Sequence, residues 1–231
     1  MRRALVPLLL ATSACFPRAS VPDAERQRAQ HELAGQRRWL KVAVEIGPLY
    51  GDSSKLIVSD QPLSELDLVQ TTDGQPIEPP RPERVLLPGT PVRVEKVEFA
   101  TGWIIAQRVA LTPRYHPWVY LTLAGELRPL VLVLPQTLAS AEEVRVELER
   151  TLGTADPRLA FEALPDEERE AIRRKSPLEG MTSLALEMAW GYPEKKVIDR
   201  PAGTEEWTWP GGRRKASFRN GKLVRWEGAR R

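Results

Sequence analysis

The chain has 231 residues, of which 42% are hydrophobic and 28% charged, values that exclude a disordered or fibrous polymer and fit one large or two small folded domains. Its formal charge is only +3, and Arg213, Arg214, Lys215, Arg230 and Arg231 supply much of the basic side, so a nucleic-acid partner is not expected. A single cysteine excludes an internal disulfide and a cysteine-rich metal site.

The chain opens with Arg2 and Arg3, an apolar run from Ala4 to Ala11, the small residues Thr12, Ser13 and Ala14, and then Cys15. That is the layout of a secretory signal, and the run is too short to span a bilayer. Leu10 to Cys15 resembles the lipobox of bacterial lipoproteins, in which the upstream peptide is removed and the cysteine acylated. The resemblance implies residues 1–14 as signal peptide and Cys15 as the lipidation site, with the mature protein held at a membrane in the cell envelope. A periplasm-facing position, at the outer rather than the inner membrane, is expected. Thr12 departs from the leucine preferred at its position.

Residues 15–38 carry Pro17, Pro22 and many charges and read as a tether, in which His31 has no partner at metal-ligand spacing. Strict alternation of Leu40, Val42, Val44 and Ile46 predicts a strand ended by Gly47-Pro48. Further strands are expected at Lys55 to Ser59, Val85 to Leu87, Val92 to Phe99, Trp103 to Leu111, Trp118 to Leu123 and Leu130 to Leu134, with an extended proline-rich connection from Pro76 to Pro82. Residues 39–136 therefore form a β-rich domain. Its turns at Pro88-Gly89 and from Thr112 to Pro117 resemble those of bacterial SH3-like proteins, which implies a small barrel or sandwich.

Residues 137–178 change to helical spacing. Ser140 and Glu143 form a capping box, Val144, Leu148 and Leu152 recur on one face, and Gly153 is expected to close the helix in a left-handed cap. Pro157 to Leu164 and Asp166 to Lys175 are two more helical stretches, the second with an acidic start of Asp166, Glu167 and Glu168 that reads as a solvated face.

Residues 179–228 carry the densest pattern. Thr182 caps a short helix with apolar Leu184, Leu186 and Met188, and Gly191-Tyr192-Pro193 stops it. Strands at Glu205 to Trp209, Arg214 to Phe218 and Lys222 to Trp226 are joined by Pro210-Gly211-Gly212 and Asn220-Gly221, a three-stranded antiparallel meander. Alternation puts Trp207, Trp209, Ala216, Phe218, Val224 and Trp226 on its core face. Glu206, Thr208, Lys215, Ser217, Arg219, Leu223 and Arg225 fall on the other.

Gly180-Met181-Thr182, Gly191-Tyr192-Pro193, Trp207-Thr208-Trp209 and Phe218-Arg219-Asn220-Gly221-Lys222 resemble, in order, the pattern of the SmpA/OmlA (BamE-like) envelope lipoproteins. Ala185 and Glu187 depart from it where many members have an acidic residue followed by valine. The resemblance implies an α+β chain whose C-terminal helices pack on the meander, and a non-catalytic scaffold that binds envelope protein partners. The candidate contact residues are Lys215, Arg219, Arg225 and Tyr192. The basic sheet face also suits anionic lipid, and the alternative is an SH3-like region that binds peptidoglycan or a peptide. No nucleophile, metal or phosphate-loop motif occurs, so catalysis and cofactors are not expected; two facing carboxylates of a hydrolase remain the least favoured option. His116, in a turn entering a strand, reads as a hydrogen-bonded structural histidine.

Overall fold

The computed structural model describes residues 21–228, so the expected signal segment and the expected lipidation site, Cys15, lie outside the described residues. The fold is α+β, with a large mixed sheet and a second antiparallel sheet. The first contains β1 (Arg37–Leu40), β2 (Val44–Leu49), β3 (Asp52–Ser59), β4 (Arg84–Leu86), β5 (Pro91–Glu98), β6 (Trp118–Thr122), β7 (Leu130–Val133) and the two-residue β8 (Leu152–Gly153). Its order is β4-β2-β3-β7-β6-β5-β1-β8, all antiparallel except β3 with β7. The sheet is open, and no closed barrel forms among the described residues.

Both faces of this sheet are covered, which is why Leu56, Ile57 and Val58 are all buried in succession. One face packs on α1 (Asp23–Leu33) and α3 (Ala141–Thr151) through Leu33, Val44, Val94, Val119, Val144 and Leu148. The other face packs Ile57, Trp118 and Val131 beneath Leu63, Leu66 and Leu68 of the long β3–β4 connection. The stretch expected to be a tether thus supplies a docked helix. Its apolar residues are few, but Ala29 and Leu33 are fully covered, and Val97 N–H donates to the Gln30 side chain at 2.7 Å.

Several local expectations change. Trp103 to Leu111 is not a strand: Thr101 Oγ1 accepts from Ile104 N–H and starts α2 (Gly102–Gln107). A short apolar run has no period that separates the two states, and the cap decides. The alternating run from Leu40 to Ile46 is two strands, because Lys41 and Ala43 turn their amides to Thr151 and Met188 instead of a sheet neighbour. Gly47-Pro48 does not end the second, which continues to Leu49. Gly153 is not a left-handed cap either; it pairs with Trp39 at the sheet edge. The capping box half forms: Ser140 Oγ accepts from Glu143 N–H, while the Glu143 carboxylate reaches Ala139 N–H.

The second lobe contains α4 (Arg158–Glu162), α5 (Asp166–Arg173), α6 (Ser183–Trp190) and a sheet of β9 (Lys195–Asp199), β10 (Thr204–Thr208), β11 (Lys215–Arg219) and β12 (Lys222–Glu227). The sheet order β12-β11-β10-β9 contains the expected meander plus one strand more. Thr182 caps α6, Gly191 leaves it with φ 79°, and Asn220 and Gly221 take φ 51° and 73° in the hairpin turn. Trp207, Trp209, Ala216 and Phe218 form the core face with Met181, Leu186 and Met188, whereas Leu184 is exposed. The helical connection is divided between the lobes: α3 belongs to the first core, and Phe161, Ala171 and Ile172 of α4 and α5 to the second.

Candidate functional site

The two cores meet along a polar seam. Lys175 adopts φ 51° just after α5, and its buried ammonium donates to the carbonyls of Ala43 at 2.7 Å, Asp60 at 2.8 Å and Ala189 at 2.9 Å. One side chain therefore ties β2, the end of β3 and α6 together. Ala43 N–H donates to Met188 O at 2.6 Å, which carries the backbone of the first lobe onto α6. Gly191 closes the same junction: a Cβ there would lie 2.3 Å from Asp60 Oδ2.

Beside the seam is a cleft of about 890 Å³, lined by Glu45, Pro62, Ser64 and Glu65 from the first lobe and by Arg174, Lys175, Trp190, Arg214 and the β12 residues Arg225, Trp226 and Glu227 from the second. Arg214, 2% exposed, is its most enclosed cation. Its Nε lies 3.3 Å from Glu65 Oε2, Nη1 donates to Trp190 O at 3.1 Å, and its plane sits over Trp190 and Trp209. The remaining Nη2 is buried and has no hydrogen-bond partner among the described residues. Burial lowers the Arg214 pKa from the usual guanidinium value, opposed by the charges of Glu65, Asp60 and Glu45. The three cleft carboxylates are already engaged: Glu65 by Arg214, Glu45 by the Leu63 amide at 2.8 Å, and Glu227 by Arg225.

The cleft runs along the free edge of β12. Among the described residues that strand pairs with β11 on one side only, and on the other side Gly180, Met181 and Thr182 cover it just at Lys222 and Leu223. Past Leu223 the register shifts by a bulge. Leu223 then takes the core position opposite Phe218 and is fully buried, while Val224 is half exposed, the reverse of simple alternation. Trp226 keeps its register opposite Ala216 but remains 38% exposed at the cleft.

Of the expected contact residues, Arg225 lines this cleft and pairs with Glu227. Lys215 and Arg219 are exposed on the meander away from it, among Glu206, Asp199 and Glu227, so the basic face is laced with acids. Tyr192 is half-buried: it packs on the first core, its ring faces Lys41 Nζ at 4.3 Å, and its carbonyl accepts from Arg150. The cleft residues Glu45, Glu65, Lys175 and Arg214 carried no sequence signal, because they converge from four separated segments. Glu168, read as solvated, is buried and accepts from Thr182 N–H and Oγ1.

His116 Nδ1 donates to Leu134 O at 2.9 Å, and burial, then the nearby Arg108 charge, lower its pKa against the pull of that bond. No group of three or more His, Cys, Asp or Glu placed to hold a metal occurs among the described residues, and no described helix is long and apolar enough to cross a membrane. No family model, curated protein or solved structure matches the chain.

Proposed function

We propose that this protein is a lipid-anchored envelope module that binds an extended segment of a protein partner along β12. The observation that carries this reading is the uncovered β12 edge beside a mixed-charge cleft with Trp190 and Trp226 in its wall. An incoming strand would gain main-chain hydrogen bonds from such an edge, and alternate side chains would meet aromatic and charged walls. Glu45 and Glu65 serve the fold and Glu227 is paired with Arg225, so the cleft is better suited to holding a chain than to proton transfer. The lipobox resemblance around Cys15 and the SmpA/OmlA resemblance of residues 179–228 support the envelope setting.

The test is a photoreactive amino acid at Trp226 in the native envelope. A polypeptide adduct that disappears when Arg225→Glu is added, with circular dichroism unchanged, is the expected result. Adducts to glycan strands alone, or none, would discard this reading in favour of cell-wall binding or neither. Trp226→Ala is expected to weaken the partner complex by about 2 kcal/mol, roughly 30-fold in Kd, as for a central aromatic contact.

A further inference from the structure

The segment between β5 and β6 leaves the sheet as an apolar excursion with little beneath it. No side chain of α2 is buried, although its sequence is Gly-Trp-Ile-Ile-Ala-Gln. Trp103 is 73% exposed, Leu111 55%, Val109 44% and Tyr115 39%. The chain has 31 acidic residues, yet none lies between Glu98 and Glu126. The excursion is nevertheless firmly held. Arg108 stacks on Trp118 at 3.7 Å, gives Nη1 to the carbonyls of Arg114 and His116, and is neutralised by Glu98 at 2.9 Å. The 109–111 stretch also rests on the β2–β3 turn, where a Cβ on Gly51 would lie 3.0 Å from Leu111 Cβ.

The path of α1 places the start of the described chain at the same end of the molecule. Gly35 N–H donates to Val94 O, and Gln30 Oε1 accepts from Val97 N–H, so α1 runs antiparallel to β5. Its first residue, Asp23, is seven residues before Gln30 and thus about 10 Å further on, beyond the Val97 end of β5 from which the chain leaves toward α2. Cys15 is six residues before Val21, a reach of about 20 Å even when fully extended.

We propose that the α2 excursion is a membrane-contacting element, in which Trp103, Val109, Leu111 and Tyr115 enter the headgroup region of the bilayer that carries the anchor. This rests on the lipid-anchored reading above. The excursion itself offers tryptophan, tyrosine and aliphatic side chains and no acid, and the adjoining Asp52 and Glu98 are mostly covered and paired with Lys55 and Arg108. Such a surface matches the interfacial zone of an anionic bilayer, where aromatic residues collect and carboxylates are disfavoured. The short tether keeps the surface within range, and contact there would fix the orientation of the body over the membrane.

The test uses the mature protein in vesicles of phosphatidylcholine and phosphatidylglycerol, with an environment-sensitive dye on Trp103→Cys or Leu111→Cys. Leu127→Cys and Leu159→Cys, at exposed positions outside the excursion, are the controls. Spin-labelled lipid is expected to quench the dye at 103 and 111 several-fold more than at 127 and 159. Equal quenching at all four positions, or a bifunctional label at 103 that captures a second copy or another protein instead of lipid, would overturn the proposal. Thiol titration of the unsubstituted protein tests the anchor separately: acylated Cys15 leaves nothing to titrate, whereas one free thiol per chain refutes anchoring. In that event the same dyes are read in a Cys15→Ser background on added vesicles. Selective quenching there would uphold the contact surface, and its loss would remove it.

Discussion

Lys175, buried, and His116, half-buried, illustrate opposite ways in which polar groups govern this fold. The Lys175 ammonium is held by three carbonyls from different elements, so Lys175→Met would leave all three to compete for partners. A buried acceptor left unsatisfied costs about 1 to 3 kcal/mol, and partial rearrangement makes a total loss of about 3 kcal/mol the expected outcome in urea denaturation. His116 acts through its neutral form. Its folded pKa lies below the ordinary 6.5, so below that pH the unfolded chain binds the extra proton first. Stability from this group is complete above about pH 6.5 and declines as the pH falls toward the folded value. His116→Asn, which can still donate to Leu134 O, is expected to flatten the stability profile in that window. A slope unchanged by the substitution would show that another group titrates there.

The elements show which signals survive in a linear sequence and which need the third dimension. Turn chemistry was legible: Thr182, Gly191 and Asn220-Gly221 act locally and occupy the expected conformations. Strand existence in the first sheet was also largely legible from apolar, β-branched runs such as Leu56 to Val58, although the same signal misled at Trp103 to Leu111, where the Thr101 cap makes a helix. Strand β9 escaped because Lys195, Lys196 and Asp199 look like loop residues. It is an edge strand, where charge blunts further pairing, and the Lys196 stem lies over Trp207 with Nζ 3.9 Å from the ring centre. The β12 bulge was invisible because alternation carries no mark of an inserted residue. It gives a sharp test: Leu223→Ala is expected to cost about 2 to 4 kcal/mol, and Val224→Ala within about 0.5 kcal/mol. The simple alternation would demand the reverse ranking.

At the scale of the whole molecule, the open question is whether the lobes behave as one body. Each has a substantial apolar core, and separate cores joined by a linker unfold separately. Here the junction is built from buried main-chain bonds. Ala43, in the link between β1 and β2, packs with the second core, while Tyr192, just after α6, packs with the first. The Lys175 ammonium and the ion pair of Arg214 with Glu65 are enclosed between them. Separating the lobes would expose the apolar residues and leave these polar groups to be rehydrated one by one, so a half-unfolded state gains little. A single urea transition is therefore expected, coincident for Trp118 in the first lobe and Trp207 and Trp209 in the second, each followed in variants lacking the other lobe's buried tryptophans. Gly191→Ala, strained by its φ of 79° and by the approach to Asp60, should lower that transition and divide it if the seam is the source of cooperativity. Two transitions in the unsubstituted protein would mean that the seam contributes less than either core, and that the cleft beside it opens without unfolding either lobe.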